Sequence, residues 1–178
     1  GCPKTVTRDF NCSKNKLTSL FECPIDVGEF DCSHNQLKTL SYSPKEVKGS
    51  FNCSFNELTS IKGSPRTIKG HFKCNDNRLI SLKGGPKYID TYFDCSHNFL
   101  ERLIGGPVAV GHDYICNGNS LMDLDSIADE IGWDLVTDIR LNHLTSSYNE
   151  EEKYWRYKAS EVVAHIYKPI VALTNIDD

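Results

Sequence analysis

Phe30-Asp31-Cys32-Ser33-His34-Asn35-Gln36-Leu37-Lys38-Thr39-Leu40 carries the pattern Phe-x-Cys-x-x-Asn-x-Leu-x-x-Leu. The pattern also stands at Phe10, Cys12, Asn15, Leu17 and Leu20. It returns at Phe51, Cys53, Asn56, Leu58 and Ile61, then at Phe72, Cys74, Asn77, Leu79 and Leu82. Two further copies are Phe93, Cys95, Asn98, Leu100, Leu103 and Tyr114, Cys116, Asn119, Leu121, Leu124. After one step of 20 residues, every step is 21. Such a period marks stacked units, none of which can bury its apolar side alone.

A second set of positions precedes each copy. Cys2-Pro3-x-x-Val6 matches Cys23-Pro24-x-x-Val27, Pro44-x-x-Val47, Pro65-x-x-Ile68, Pro86-x-x-Ile89 and Pro107-x-x-Val110. The sequence thus opens halfway through a repeat, which leaves both upstream repeats and a short N-terminal half-repeat open. Val27 to Phe30 is three residues and Val47 to Phe51 is four. A bulge is expected where that residue is gained.

Alternation around Phe-x-Cys predicts a short strand with Phe and Cys on one side and the residues between them on the other. Identical strands one repeat apart pair in parallel, about 4.8 Å from each other, so six make a sheet roughly 25–30 Å long. Each large inward side chain contributes about 1.5–3 kcal/mol on burial. The Asn column has donors and an acceptor for backbone groups where the chain leaves the sheet. Gly63-Ser64-Pro65, Gly84-Gly85-Pro86 and Gly105-Gly106-Pro107 limit helix in the return half, which is expected to be extended or 3₁₀.

The chain has 178 residues, 39% hydrophobic and 25% charged, with a net charge of −4. This composition fits one soluble core and calls for no membrane or nucleic-acid partner. No apolar run reaches the ~18 residues of a membrane span, and no secretory signal is read. Six of the eight cysteines share one repeat phase, and Cys2 and Cys23 share another. There is no Cys-x-x-Cys, and no His stands at a ligand spacing from a Cys. Parallel stacked side chains have poor geometry for disulfides, so a buried ladder of reduced thiols is expected, which implies a reducing compartment.

In the second repeat, Pro24-x-x-Val27-x-x-Phe30-x-Cys32-x-x-Asn35-x-Leu37-x-x-Leu40 resembles the leucine-rich repeat. The short period and the Pro resemble its bacterial-effector subclass, and Cys-Ser-x-Asn-x-Leu resembles leucine-rich repeat proteins of tailed phages. Cys and Phe stand where that family usually has Leu. The resemblance covers residues 2–124 and implies an α/β solenoid with short parallel strands on a concave face. With the Gly and Pro of the return half, the convex side is expected to be mostly non-helical, and the C-terminal residues are expected to close the array as a helical cap.

Three regions follow. Residues 1–124 form the solenoid, a half-repeat plus six repeats. Residues 125–144 are read as a capping repeat, with a short helix over 126–131 ended by Gly132. Residues 145–178 hold a helix and tail. Ser147-Tyr148-Asn149-Glu150 looks like a capping box, and the helix is expected from about Asn149 to Lys168, before Pro169. Trp155, Ala159, Val162, Val163, Ile166 and Tyr167 form its apolar stripe, for docking on the solenoid or on a second copy. From Asp123 on there are 12 acidic and 5 basic residues, a net of −7.

No phosphate loop, His-Glu-x-x-His or nucleophile elbow is present. His34 and His97 lie roughly 14 Å apart by strand spacing, too far to share a metal. No catalytic residue, metal or cofactor is assigned. Function is instead expected at outward positions that fail to repeat. Phe55, His71, Lys73, Tyr92, Asp94, His97 and Phe99 are the candidate partner-binding residues, because aromatics concentrate interface energy. The expected protein is a noncatalytic protein-binding module of the cytoplasm. The phage resemblance extends this to a protein that binds and inhibits a host factor in the host cytoplasm. The alternative is nucleic-acid binding through the basic return loops: Lys45, Lys48, Lys62, Arg66, Lys69, Lys83 and Lys87.

Overall fold

The computed structural model describes residues 6 and 8–121, together with strand segments 138–141, 147–149, 154–156 and 162–165. The repeat segments form strands β1 (Phe10–Asn11), β3 (Phe30–Asp31), β5 (Phe51–Asn52), β7 (Phe72–Lys73), β9 (Phe93–Asp94) and β11 (Asp113–Ile115). They pair in that order, all parallel, and each aromatic faces its counterpart one coil away. The chain is therefore a parallel β-solenoid.

The inward columns are its core. Phe30, Phe51, Phe72, Phe93 and Tyr114 are fully buried. Successive ring centroids, from Phe10 to Tyr114, lie 4.9–5.9 Å apart. Cys32, Cys53, Cys74, Cys95 and Cys116 are buried beside them, with the Leu columns. Cys32, Cys53, Cys74 and Cys95 are thiols, not disulfides, as the packing argument requires. Burial, reinforced by neighbouring thiols, raises Cys32, Cys74 and Cys95 well above the ordinary thiol value. Burial, with Asp94 adding to it, pushes Cys116 up to about 12.

The return half is extended, one of the two conformations expected for it, and its short segments also pair from coil to coil. Strands β2 (Asp26–Val27) and β4 (Glu46–Val47) pair in parallel, as do β6 (Thr67–Ile68), β8 (Tyr88–Ile89) and β10 (Ala109–Val110). Their Val and Ile side chains close the core opposite the long sheet. The gained residue does not disturb either ladder, because Phe30 pairs with Phe51 and Val27 with Val47. It sits in the bend between them, where Gly49 N donates to Gly28 O at 2.7 Å and Gly70 N to Gly49 O at 2.9 Å.

Each coil then closes through a β-turn, as in Leu20–Cys23, Leu40–Ser43 and Ile61–Ser64. The third turn residue has positive φ: Glu22, Tyr42, Gly63, Gly84 and Gly105. Gly63 has a second reason to lack a side chain, since a Cβ there would lie 2.7 Å from Leu40 O.

The Asn column ties the coils together. Asn77 Nδ2 donates to Cys74 O and Asn75 O in its own coil and to Cys53 O in the preceding one. Its Oδ1 accepts from Leu58 N at 2.9 Å. Asn35, Asn56, Asn98 and Asn119 repeat the arrangement. The residue before each Asn has φ near 50–70°: Lys14, His34, Phe55, Asp76, His97 and Gly118. This left-handed step turns the chain out of the strand and aims the amide at those carbonyls.

Within the expected helix from about Asn149 to Lys168, the described segments are strands, and so are the described segments before it. Asp138–Leu141 (β12), Ser147–Asn149 (β13), Tyr154–Arg156 (β14) and Val162–His165 (β15) are strands. β15 pairs antiparallel with β11 and with β12, extending the long sheet past the last coil, and β13 pairs with β14. The β-branched pair Val162-Val163 suits this setting, and its apolar spacing is ambiguous between helix and strand. The rest of the expected helix, and the cap over 125–144 apart from β12, lie outside the described residues. Among the described residues there is no helix.

Candidate functional site

Outward positions on the long sheet fall into columns, and most are occupied by local hydrogen bonding. The residue between Phe and Cys is Asn11, Asp31, Asn52 or Asp94, and its Oδ1 accepts from the Ser two residues on. These bonds are 2.9 Å to Ser13 N, 2.9 Å to Ser33 N, 3.1 Å to Ser54 N and 3.0 Å to Ser96 N. In three of these coils the Ser hydroxyl adds a second bond to the same oxygen. These side chains therefore shape the turn first and face solvent second.

The sixth coil has Ile115 and Asn117 at these positions, and the fourth coil breaks the rule with charged and polar side chains. Lys73 and Asn75 replace the Asx–Ser pair, and Asn75 Nδ2 donates instead to Asp76 Oδ2 at 2.7 Å. Lys73 Nζ lies over the Tyr92 ring, 5.4 Å from its centroid. His71 stacks on the same ring at 4.8 Å and 10°. Ser50 Oγ meets His71 Nδ1 at 3.0 Å. Burial first, then the neighbouring Lys73 charge, lowers the His71 pKa, and Glu29 opposes the shift. The result is a half-buried cluster in the middle of the sheet.

The seven candidate residues thus divide. His71, Lys73, Tyr92 and Asp94 come together, with Lys73 and Asp94 direct partners across β7 and β9. Phe55 and His97 lie in the left-handed column beside them. Phe55 stacks on His34 at 4.3 Å and 5°. A Cβ on Gly118 would meet His97 Nδ1 at 2.5 Å, so the imidazole of His97 covers that glycine. Phe99 stands apart, beyond the Asn column. It is 58% exposed, and its amide donates to Leu79 O.

The basic return loops are not a uniform stripe. Lys48 pairs with Asp26 at 3.2 Å and Lys69 with Asp90 at 3.5 Å. Lys87 Nζ donates to Gly105 O and Gly106 O at 3.4 Å. Repeat periodicity gave no warning of one surface feature, an exposed edge-to-face pair of Phe21 and Tyr42 at 5.4 Å. The two residues occupy different positions of their turns, so no column flags them. The sequence signal is an aromatic where other coils place Ser, Lys or Ile in the case of Phe21, and Glu or Gly in the case of Tyr42. Tyr42 also lines an open groove of about 670 Å³ with Thr39, Lys45 and Lys62.

Among the described residues, no group of three or more His, Cys, Asp or Glu is placed to hold a metal ion. No protein-family model, curated protein or solved structure matches the chain.

Proposed function

We propose that the protein is a noncatalytic interaction module of the leucine-rich repeat type, binding a protein partner through the face of the long sheet. One observation carries this reading: the His71–Lys73–Tyr92 cluster stands in the middle of a face whose Asx residues on the first, second, third and fifth coils are bonded within their own turns. Partly exposed aromatic rings on a rigid sheet are typical anchors of protein interfaces. The array beneath supplies the rigidity, since each coil is bonded to its neighbours through backbone and Asn side chains.

The resemblance to phage-encoded repeats favours a host protein as partner, with inhibition as the outcome. Protonated core thiols suit a reducing compartment, so the cytoplasm is the proposed place of action. Affinity capture of partners from a bacterial lysate, followed by binding of the purified partner to Tyr92→Ala and His71→Ala, tests the reading. Each substitution is expected to cost more than about 1 kcal/mol. Unchanged affinity in both would remove the long-sheet face as the site. Salt-dependent retention of the chain on DNA or RNA would favour the basic loops instead.

A further inference from the structure

Two columns of the long-sheet face carry the same succession over three consecutive coils. In the left-handed column it is His34, Phe55, Asp76. In the column before the inward aromatic it is His71, Tyr92, Asp113. In both, the imidazole is stacked nearly parallel against the aromatic ring, at 4.3 Å and 4.8 Å. The acid lies on the next coil, on the side of the ring away from the imidazole, with strand spacing of about 4.8 Å. Each succession is thus a ring backed on one side and followed on the other by a carboxylate.

We infer that these are two subsites for arginine side chains of a cationic protein partner. This rests on the reading of the face as a protein-binding surface and adds the chemistry of what it binds. A guanidinium is planar, stacks on aromatic faces and pairs with carboxylates, so one side chain matches both members of a subsite by shape and charge, beside the bond Asp76 already accepts from Asn75. An ammonium is also drawn to a ring face, but it lacks the planar fork that stacks on the ring and pairs with a carboxylate at once. The Tyr92 ring already accepts a cation, since Lys73 Nζ lies over it. The strand columns around it add Glu29, Asp31 and Asp94 against that one lysine, so the face attracts a positive partner and repels phosphate. From Phe55 to Tyr92 is two coils along the sheet and about five residues across it. That is roughly 20 Å, the length of about six extended residues.

The test uses the full chain and a capped dodecapeptide bearing two arginines six residues apart. Controls replace both arginines by lysine or by glutamate. Amide shifts by NMR locate binding, and the titration gives affinity. The arginine peptide is expected to shift the Phe55, Asp76 and Tyr92 amides and to bind at least about fivefold tighter than the lysine peptide. Tyr92→Leu and Asp76→Asn should each lose at least about threefold. Circular dichroism checks their fold, and Phe55→Leu and Asp113→Asn supply a second pair.

Equal binding of the lysine peptide, tighter binding of the glutamate peptide, or no shift on these coils overturns the inference. Selection of random displayed peptides separates it from the broader reading. Enrichment of arginine among binders sensitive to Tyr92→Leu supports it. Enrichment of acidic or apolar sequences with the same sensitivity overturns the arginine subsites and leaves the face as a protein site. Selected binders indifferent to Tyr92→Leu overturn both.

Discussion

The backbone amide of Leu58 donates to the side-chain oxygen of Asn77, one coil further on, at 2.9 Å. The same side chain holds Cys53 O and Cys74 O. One amide therefore satisfies buried groups that no strand partner reaches. Asn15 has the carbonyls of its own coil, Cys12 O and Ser13 O, and is exposed. Asn77→Leu leaves several buried groups unpaired, at about 1–3 kcal/mol each. A loss of at least ~3 kcal/mol in urea unfolding is expected for Asn77→Leu. Asn15→Leu should cost under about 1 kcal/mol, because water replaces its partners. Equal losses at the two positions would show that the bonds between coils are not the source.

The cysteine ladder should make the fold sensitive to alkali. Burial raises the native thiol values above the ordinary 9.0, so the unfolded chain gives up these protons first. Their contribution to stability is complete below pH 9 and is lost as pH rises through 9 and beyond. The urea midpoint should therefore fall between pH 8 and pH 10, and less steeply in Cys74→Ala. Native Cys53, Cys74 and Cys95 should resist Ellman reagent at pH 8 and react after unfolding. Fast native reaction at all three would contradict the burial.

His71 gives a signal of opposite sign. Its native pKa is lowered from 6.5, so the native state resists a proton that the unfolded chain accepts. Its contribution is complete above pH 6.5 and is lost as pH falls through that value to the native pKa. The ring-proton resonance of His71 should titrate below 6.5. Lys73→Met should move its midpoint upward, since the Lys73 charge is the second cause of the shift. A midpoint unmoved by Lys73→Met would break the electrostatic link between the two.

Lys14 and Gly118 occupy equivalent left-handed positions, with φ of 55° and 67°. Lys14 is exposed and holds that conformation at some cost. Lys14→Gly is expected to stabilise by about 0.5–1 kcal/mol, as strain relief exceeds the entropy of glycine. Gly118→Ala should destabilise by about 1–2 kcal/mol, through its φ and its approach to His97. Thermal unfolding of both variants checks the pair.

The inward half of this structure was legible in the sequence, because burial acts on every coil alike and so leaves a period. Phe72, Cys74, Asn77 and Leu79 need no neighbour to be interpreted. The outward half was only partly legible. That Asp94 spends one oxygen on Ser96 follows from its own coil. That Tyr92 receives both His71 and Lys73 depends on side chains about a repeat away in sequence but adjacent in space. Pro and Gly near Val47 and Ile68 left the return half open between extended and 3₁₀ chain, and its pairing into a second ladder was not legible, because two residues of strand suffice only when each coil supplies the next with a partner. Tyr154–Arg156 and Val162–His165, inside the expected helix, are strands because short apolar runs such as Val162-Val163 fit either period.

Each Asn reaches back to one preceding coil, and every joint from Asn56 to Asn119 is chemically alike. A 21-residue unit could therefore be gained or lost by recombination between similar stretches of the coding DNA, and the new joint would match the old ones. Such an event would leave the interior unchanged while shifting which outward residues become neighbours. The array could thus acquire a new recognition surface in one genetic step, without first passing through an unstable fold.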